Sequence, residues 1–502
     1  MGAFKKDKAA NTAKIPASAW KVLAVLSSIA TMVMYAETML IPAIPDLIRE
    51  FNVSYGMSSW ILTAYLIPGA VMTPIAGKLS DIYGKKKILL IIMAIYIAGI
   101  AIAGFSSNIY MLFAARAIQG MGMAMFVIAF GIIRDQFPRE KISIGQGVIS
   151  SMFASGAVIG LTAGGIIISN YGWQATFFST IPISIFLFVL IWRFNYERKL
   201  EPWEEVTPNH TPSNATSAIP RGIDIKGATT LAAFVTSFLL ALTLLETGAG
   251  QSAATGQIAI FVAVGATALW LFVVIERREK LPLVDFKLMS HRAILPANLI
   301  IMTVGFSMFM VFQTVPVLVR NPEPLGFGGD AATAGYVQLP FAIVLLVFGP
   351  TSGFIVHKMG SIKPIMIGTS ITAAGFFFLL AFHGSWMAVS AGLAILSTGL
   401  SLTNVGALNV TLLATPAEFT GISLGMNTLL RIVGSSIGPA LAGVYMQMYQ
   451  SSVEIAGSLM SFPSTQAFSI IFLTAALLSV ASIMLSIYLK RQIGKMSIAN
   501  LA

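Results

Sequence analysis

The stretch GKLSDIYGKKKILLIIMAIYIAGIAI, residues 77–102, decides the fold class. From Ile88 to Ile102 it is apolar on every face, which fits neither an amphipathic surface helix nor a barrel strand, whose positions alternate. A helix of about 20 such residues, rising ~1.5 Å per residue, crosses a ~30 Å hydrocarbon layer. The turn before it holds Gly77, Asp81, Gly84 and Lys85 to Lys87. The glycines permit a tight turn, Asp81 can pair with a helix N-terminus or with Arg134, and the lysines favour the inner leaflet.

Such runs recur along the chain. About fourteen, the first over 21 to 42 and the last over 467 to 489, have the length that a spanning helix needs. Hydrophobic residues make up 56% of the 502 and charged residues only 10%, against roughly 25% charged in a soluble chain, so water is not the solvent for most of this surface. The expected fold class is an all-α polytopic membrane protein. No small-residue cleavage site follows the first run, which is therefore read as a retained helix. The chain has no cysteine, which excludes disulfides and thiolate metal sites, and no metal or other cofactor is called for. Of the 31 Lys and Arg, Arg49 and Arg320 alone fall in loops on one side, and Arg116 and Arg431 fall inside spans. The rest share the other side, which places that side and both termini in the cytoplasm of a plasma-membrane protein. The net charge of +11 reflects this topology and needs no nucleic-acid partner.

The chain also repeats itself. Met34, Glu37 and Thr38 return as Met310, Gln313 and Thr314; Gly77 and Gly84 return at the same offset as Gly353 and Gly360, with Asp81 replaced by His357. At nearly that offset Gly156 and Gly160 match Gly434 and Gly438, the latter followed by Pro439. The repeat defines two six-helix bundles in parallel topology, 21–193 and 294–489, with a helix pair inserted at 226–275. Cytoplasmic linkers at 194–225 and 276–293 and tails at 1–20 and 490–502 complete the expected organisation.

On the turn from Gly77 to Lys87 the chain resembles the major facilitator superfamily, and its helix count resembles the fourteen-helix drug:proton antiporters of the EmrB/QacA type. Arg116, Gln119 and Gly120 match a pattern of that superfamily with an intramembrane arginine. Gly156, Gly160, Gly164 and Gly165 resemble its antiporter signature, although Leu161 stands where proline is usual. The inserted pair, opened by Asp224, Lys226 and Gly227 and closed by Glu276, Arg277 and Arg278, resembles the fourteen-helix group. Ala36, where those antiporters commonly carry aspartate, departs from it, and Thr38 to Pro45 looks more like the twelve-helix drug exporters. The resemblance implies two bundles alternating access to a central site and proton-coupled efflux of lipophilic or cationic small molecules, with no enzymatic activity. The glycines, with Gly434, Gly438 and Pro439, are read as packing and hinge positions.

A coupling proton needs an ionisable group inside the membrane. The four histidines, at 210, 291, 357 and 383, fall in loops or at span ends, and Glu37 alone among the acidic residues lies well inside a span; Asp46 and Glu246 lie near boundaries. An arginine in mid-membrane costs about 2.5–3.5 kcal/mol on insertion scales, so Arg116 should face a partner or a polar cavity. Glu37 and Arg116 form the expected pair, either as the proton site or as a packing element. Tyr35, Tyr65, Phe312 and Gln313 are candidate lining residues, and a cavity with one carboxylate suits lipophilic cations. A specific metabolite, sugar or siderophore carrier remains an alternative. A membrane enzyme lacks the clustered catalytic groups it would need, a channel would not carry this repeat, and no phosphate-binding loop supports nucleotide-driven transport. The protein is read as a monomer whose partners are a small-molecule substrate, protons and lipid.

Overall fold

The computed structural model describes residues 15–53, 55–138, 141–193, 225–247, 252–279, 286–415, 420–455 and 458–499. The expected linker at 194–224, most of the N-terminal tail, residues 280–285 of the second linker and the side chains of Asp81 and Glu246 lie outside it. The first half holds α1 (Ala17–Thr38), α2 (Ile44–Phe51), α3 (Tyr55–Tyr83), α4 (Lys85–Gly104), α5 (Ile109–Gly120), α6 (Met125–Gln136), α7 (Ile142–Tyr171) and α8 (Gln174–Arg193). The inserted pair is α9 (Ile225–Thr247) and α10 (Ser252–Glu276), and a short α11 (Phe286–Met289) leads to the second half. That half holds α12 (Ile294–Arg320), α13 (Ala331–Met359), α14 (Ile362–Ala381), α15 (Trp386–Leu413), α16 (Thr420–Met448) and α17 (Thr465–Ala499), with strands β1 (Gln450–Ile455) and β2 (Ser458–Pro463) before α17. Among the described residues thirteen segments are long and apolar enough to span a membrane. The expected span not among them is the seventh, which the structure forms as helix α9.

The packing is duplicated. Helix α1 lies on α7 as α12 lies on α16, α4 on α8 as α14 on α17, and α3 on α5 as α13 on α15. The first and ninth expected spans, α1 and α12, thus hold equivalent places, and the fold is two six-helix bundles with an inserted pair. Between the bundles α7 meets α13 and α3 meets α16, while α9 rests on both α3 and α16 and α10 rests on α9.

Lipid tails are as apolar as leucine, so helices in a membrane hold together by close van der Waals approach rather than by the hydrophobic effect. Small residues permit that approach here. A Cβ on Gly156 would sit 2.6 Å from the Thr31 carbonyl oxygen, one on Gly164 2.7 Å from that of Met39, and one on Gly160 would meet the Thr38 hydroxyl. On the other side Gly434 and Gly438 press on the backbone carbonyls of Met302 and Phe306. The Thr38 hydroxyl fastens the first of these pairs, donating to the Ala157 carbonyl at 2.5 Å. Gly165 and Gly77 are buried, and Pro439 lies within α16. At the ends of α3 and α13, Gly84 and Gly360 have φ of 96° and 74°, a left-handed backbone that glycine alone adopts without cost.

Three features depart from the expected spans. The fourth span, read as continuous over 110–132, breaks into α5 and α6 around a 3-10 turn at Met121–Ala124, where Gly120 and Gly122 weaken the helix. The first span ends at Thr38, because Pro42 supplies no N–H and disfavours helix in the residue before it; a 3-10 turn at Ile41–Ala43 then feeds α2. The loop after α16 contains an antiparallel hairpin, paired from Gln450 with Pro463 to Ile455 with Ser458. Its chain carries no Asn-Gly or Asp-Gly signal, and the strands alternate too weakly to stand out beside the long apolar runs.

At the ends of the helices away from Lys85, Lys86 and Lys87, Arg320 of α12 donates to the Pro42 carbonyl at 2.7 Å and closes that end across the two halves. Nearby, Asp330 caps α13, accepting from the Thr333 N–H at 2.7 Å and the Thr333 hydroxyl at 2.6 Å. The hydroxyl bond, with the N–H bond next, holds the Asp330 carboxyl below the usual carboxylate range.

Two measurements check this packing. Alanine is the better helix former by about 1 kcal/mol, yet Gly156→Ala and Gly434→Ala should lower the unfolding midpoint in detergent, at a cost of about 1–3 kcal/mol for overpacking. Gly256→Ala, at a position with open space, should leave the midpoint unchanged or raise it. Equal responses at all three would remove the glycines from the packing role. Asp330→Ala should cost about 1 kcal/mol at neutral pH as a lost cap. Because the folded-state pKa is lowered, that contribution is fully present above the ordinary aspartate pKa of about 3.9 and fades as pH falls through the lower folded value. Wild type and variant should therefore converge only well below pH ~4, which an unfolding series across pH reads directly.

Candidate substrate and proton site

Helix α1 ends at Thr38, so its last carbonyls lack partners along the helix. The Met39 N–H takes that of Tyr35 at 2.8 Å. Arg116 of α5 takes the next two, Nη1 donating to the Ala36 carbonyl at 2.6 Å and Nη2 to the Glu37 backbone carbonyl at 3.1 Å. Its Nε donates to the Ile61 carbonyl of α3 at 3.2 Å, and Nη1 also donates to Gln119 Oε1 at 2.7 Å. The guanidinium carbon sits 4.4 Å from the centre of the Tyr65 ring, whose hydroxyl donates to the Val33 carbonyl at 3.1 Å. Carbonyl dipoles, a helix C-terminus and a π face together solvate a fully buried cation. Arg116 thereby ties α1, α3 and α5 into one unit.

The sequence pairs Glu37 with Arg116, and the structure brings them together by the backbone of Glu37. The carboxylate itself is buried at 1% exposure, with Oε2 free of hydrogen-bond partners among the described residues. The opposite charge acting on it most strongly is Arg431 of α16, with Arg116 second. Helix α16 belongs to the other bundle, so this attraction runs between the two halves of the molecule. Arg431 is the residue that sequence reasoning missed: it was visible as an intramembrane arginine, but nothing in the chain showed which way α16 turns it.

The structure contains a cavity of about 60 Å³ between α6, α7, α12, α15 and α16, in the halves of these helices nearer the basic end. Its polar wall consists of Arg431, Asn404, Asn427, Thr428, Ser435 and Ser150, and Phe126, Phe130, Met308 and Phe309 supply much of the apolar wall. Asn427 donates to Asn298 Oδ1 at 2.8 Å. The buried Ser435 hydroxyl and the Asn404 amide oxygen have no hydrogen-bond partner among the described residues. Among the described residues no carboxylate lines this cavity. The expected cation site rested on Glu37, and the charged residue in the wall of this cavity is Arg431. Pockets for drug-sized ligands run to roughly 300–1,000 Å³, so this is a contracted conformation.

The expected lining residues lie elsewhere in this conformation. Tyr65 is fully buried under Arg116. Phe312 packs edge-on against Phe341 with centroids 4.9 Å apart. Tyr35 is half-buried on α1, and Gln313, also half-buried, keeps its amide oxygen without a partner among the described residues. In the basic turn, Lys85 pairs with Asp135 at the end of α6, next to Arg134, which has partners of its own. The expected contact of Arg134 with Asp81 falls on a side chain outside the described structure.

Relatives share this framework. The chain is 26% identical over 411 residues to the multidrug transporter protein MdtP of Bacillus subtilis, covering 80% of this chain and 71% of that protein. It is 25% identical over 457 residues to the tetracenomycin C resistance and export protein of Streptomyces glaucescens, covering 89% and 80%. Among solved structures it superposes on the human organic anion transporter MFSD10 with a TM-score of 0.63 at 15% identity, over 93% of this chain and 99% of that one. The family model of the Major Facilitator Superfamily matches residues 26–439, most of both bundles, and by that match this multi-pass membrane protein belongs to the superfamily.

Proposed function

We propose that the protein is a secondary active transporter that exports lipophilic small molecules, drugs among them, using the proton gradient and alternating access between its bundles. The observation that carries this reading is the Glu37 carboxylate, buried between the halves with one oxygen unpartnered, while the neighbouring Arg116 spends its donors on carbonyls. A carboxyl group that passes between a closed core and a hydrated cavity changes its proton affinity, and a group that carries protons must do so. The attraction between Glu37 and Arg431 spans the two bundles, so a proton on Glu37 alters how strongly they hold together. The names of the relatives support transport of drugs and export, and the crowding of Lys and Arg at one end supports placing that end in the cytoplasm of the plasma membrane.

The contact geometry supports alternating access as well. Gly147 of α7 approaches Gly349 and Gly353 of α13, and Gly425 of α16 approaches Pro74 of α3. Both contacts join opposite bundles near the basic end. Arg320 with the Pro42 carbonyl does the same at the other end. A transport cycle opens one set while the other stays shut.

The test is transport in proteoliposomes with and without an imposed pH gradient. Wild type should accumulate a neutral lipophilic fluorescent substrate faster with the gradient. Glu37→Gln should lose that acceleration, by about 5- to 150-fold if the coupling is worth the usual ~1–3 kcal/mol, while exchange without a gradient persists. Equal acceleration in both proteins would remove Glu37 as the proton carrier.

A further inference from the structure

We infer that the cavity at Arg431 is a subsite for an acidic group of the substrate, a carboxylate or phenolate on an aromatic body. The inference rests on the reading of this cavity as the substrate site. It draws on three observations about the wall.

Arg431 lines the cavity and, among the described residues, no carboxylate does. Glu37 offsets the arginine electrostatically and is not among the described residues that line the cavity. A guanidinium presents a planar fork of donors that matches a carboxylate, whereas a cation brought to the same wall meets like charge at low dielectric.

The remaining polar wall is neutral and able to bond to oxygen. The Ser435 hydroxyl, on a residue 2% exposed, has no partner among the described residues. It lies one helical turn beyond Arg431 on α16, so the two point to one side of that helix. The amide of Asn404 comes from α15, with its oxygen also unpartnered. A buried polar atom left unpaired is costly; a substrate carboxylate or phenolate can accept from the Ser435 hydroxyl, while the Asn404 amide oxygen, an acceptor, is open to a separate hydroxyl donor on the substrate.

The rest of the wall is aromatic and thioether. Phe126 and Phe130 come from α6 of the first bundle and Phe309 and Met308 from α12 of the second. An aromatic ring held between them touches both halves, while its acid group lies against α16 of the second half. Expansion of the contracted cavity is needed to admit such a molecule, and separation of the bundles provides it.

The experiment uses three probes with one aromatic body and three charges, 2-naphthoate, 2-naphthamide and 2-naphthylmethylammonium, titrated calorimetrically into the full chain in detergent. Wild type should bind the naphthoate most tightly, by roughly ten- to hundredfold over the amide, the span of a charge-assisted hydrogen bond, and the ammonium most weakly. Arg431→Gln should erase the preference for naphthoate over naphthamide, with an unchanged unfolding midpoint in detergent showing that the variant is folded. Arg431→Lys should recover part of the preference, and Ser435→Ala should weaken naphthoate more than naphthamide. An unchanged preference in Arg431→Gln, or equal binding of all three probes by wild type, would overturn the acid subsite and leave the transport reading standing. Binding of none of them by wild type would overturn the cavity as the substrate site as well.

Discussion

Close backbone contact between helices is the constraint from which the rest of this structure follows. In lipid no solvent squeezes helices together, and what remains is dispersion and hydrogen bonding at short range. The α7 glycines at 156, 160 and 164 let α1 approach until its carbonyls touch, and the α16 glycines at 434 and 438 do the same for α12. These two helix pairs stand at the centre of the molecule. They put Glu37 and Arg431, one from each pair, within electrostatic reach of each other. A larger residue at Gly160 would push α1 away from α7 and break the Thr38 bond to Ala157, and the position of Glu37 would go with it.

The two intramembrane arginines answer the cost of burial in different ways. Arg116 is enclosed by its own bundle, on carbonyls that the end of α1 leaves open and on the face of Tyr65. It is solvated by fixed dipoles, which suits a residue that holds helices in place through a transport cycle. Arg431 lines a cavity and is within electrostatic reach of an acid of the opposite bundle. Its surroundings change when the bundles move, which suits a residue that takes part in the cycle.

Much of the fold was legible because membrane helices must be long, apolar and internally bonded, and such runs are plain in a sequence. The duplication was legible for a further reason: Gly84 and Gly360 take a backbone conformation that glycine favours, and Gly156 and Gly434 admit no side chain, so these residues mark their positions in both halves. The break at Met121–Ala124, the helix α2 and the hairpin at Gln450–Pro463 depend on local backbone choices that apolar composition does not express. The site was legible only in part. Glu37 and Arg116 stood out as charges in apolar runs, yet a helix such as α16 that is apolar on most faces gives no direction to its polar residues. Rotation about the helix axis is settled by packing, and packing is what put Arg431 in the wall of the cavity.

The repeat is most informative where it fails. Glu37 on α1 stands opposite Gln313 on α12, and both keep an oxygen without a partner among the described residues. The two positions thus share a polar, underbonded setting, and only one of them is ionisable. Arg431 stands on the half that carries the neutral glutamine. Each bundle therefore holds one part of a charge pair rather than a complete copy of it. A pair closed within one bundle would move with that bundle and could not report on the other. A pair divided between bundles couples its protonation to their separation, because the Coulomb energy of opposite charges at low dielectric falls with distance. Two halves alike in packing and unlike in charge supply that arrangement.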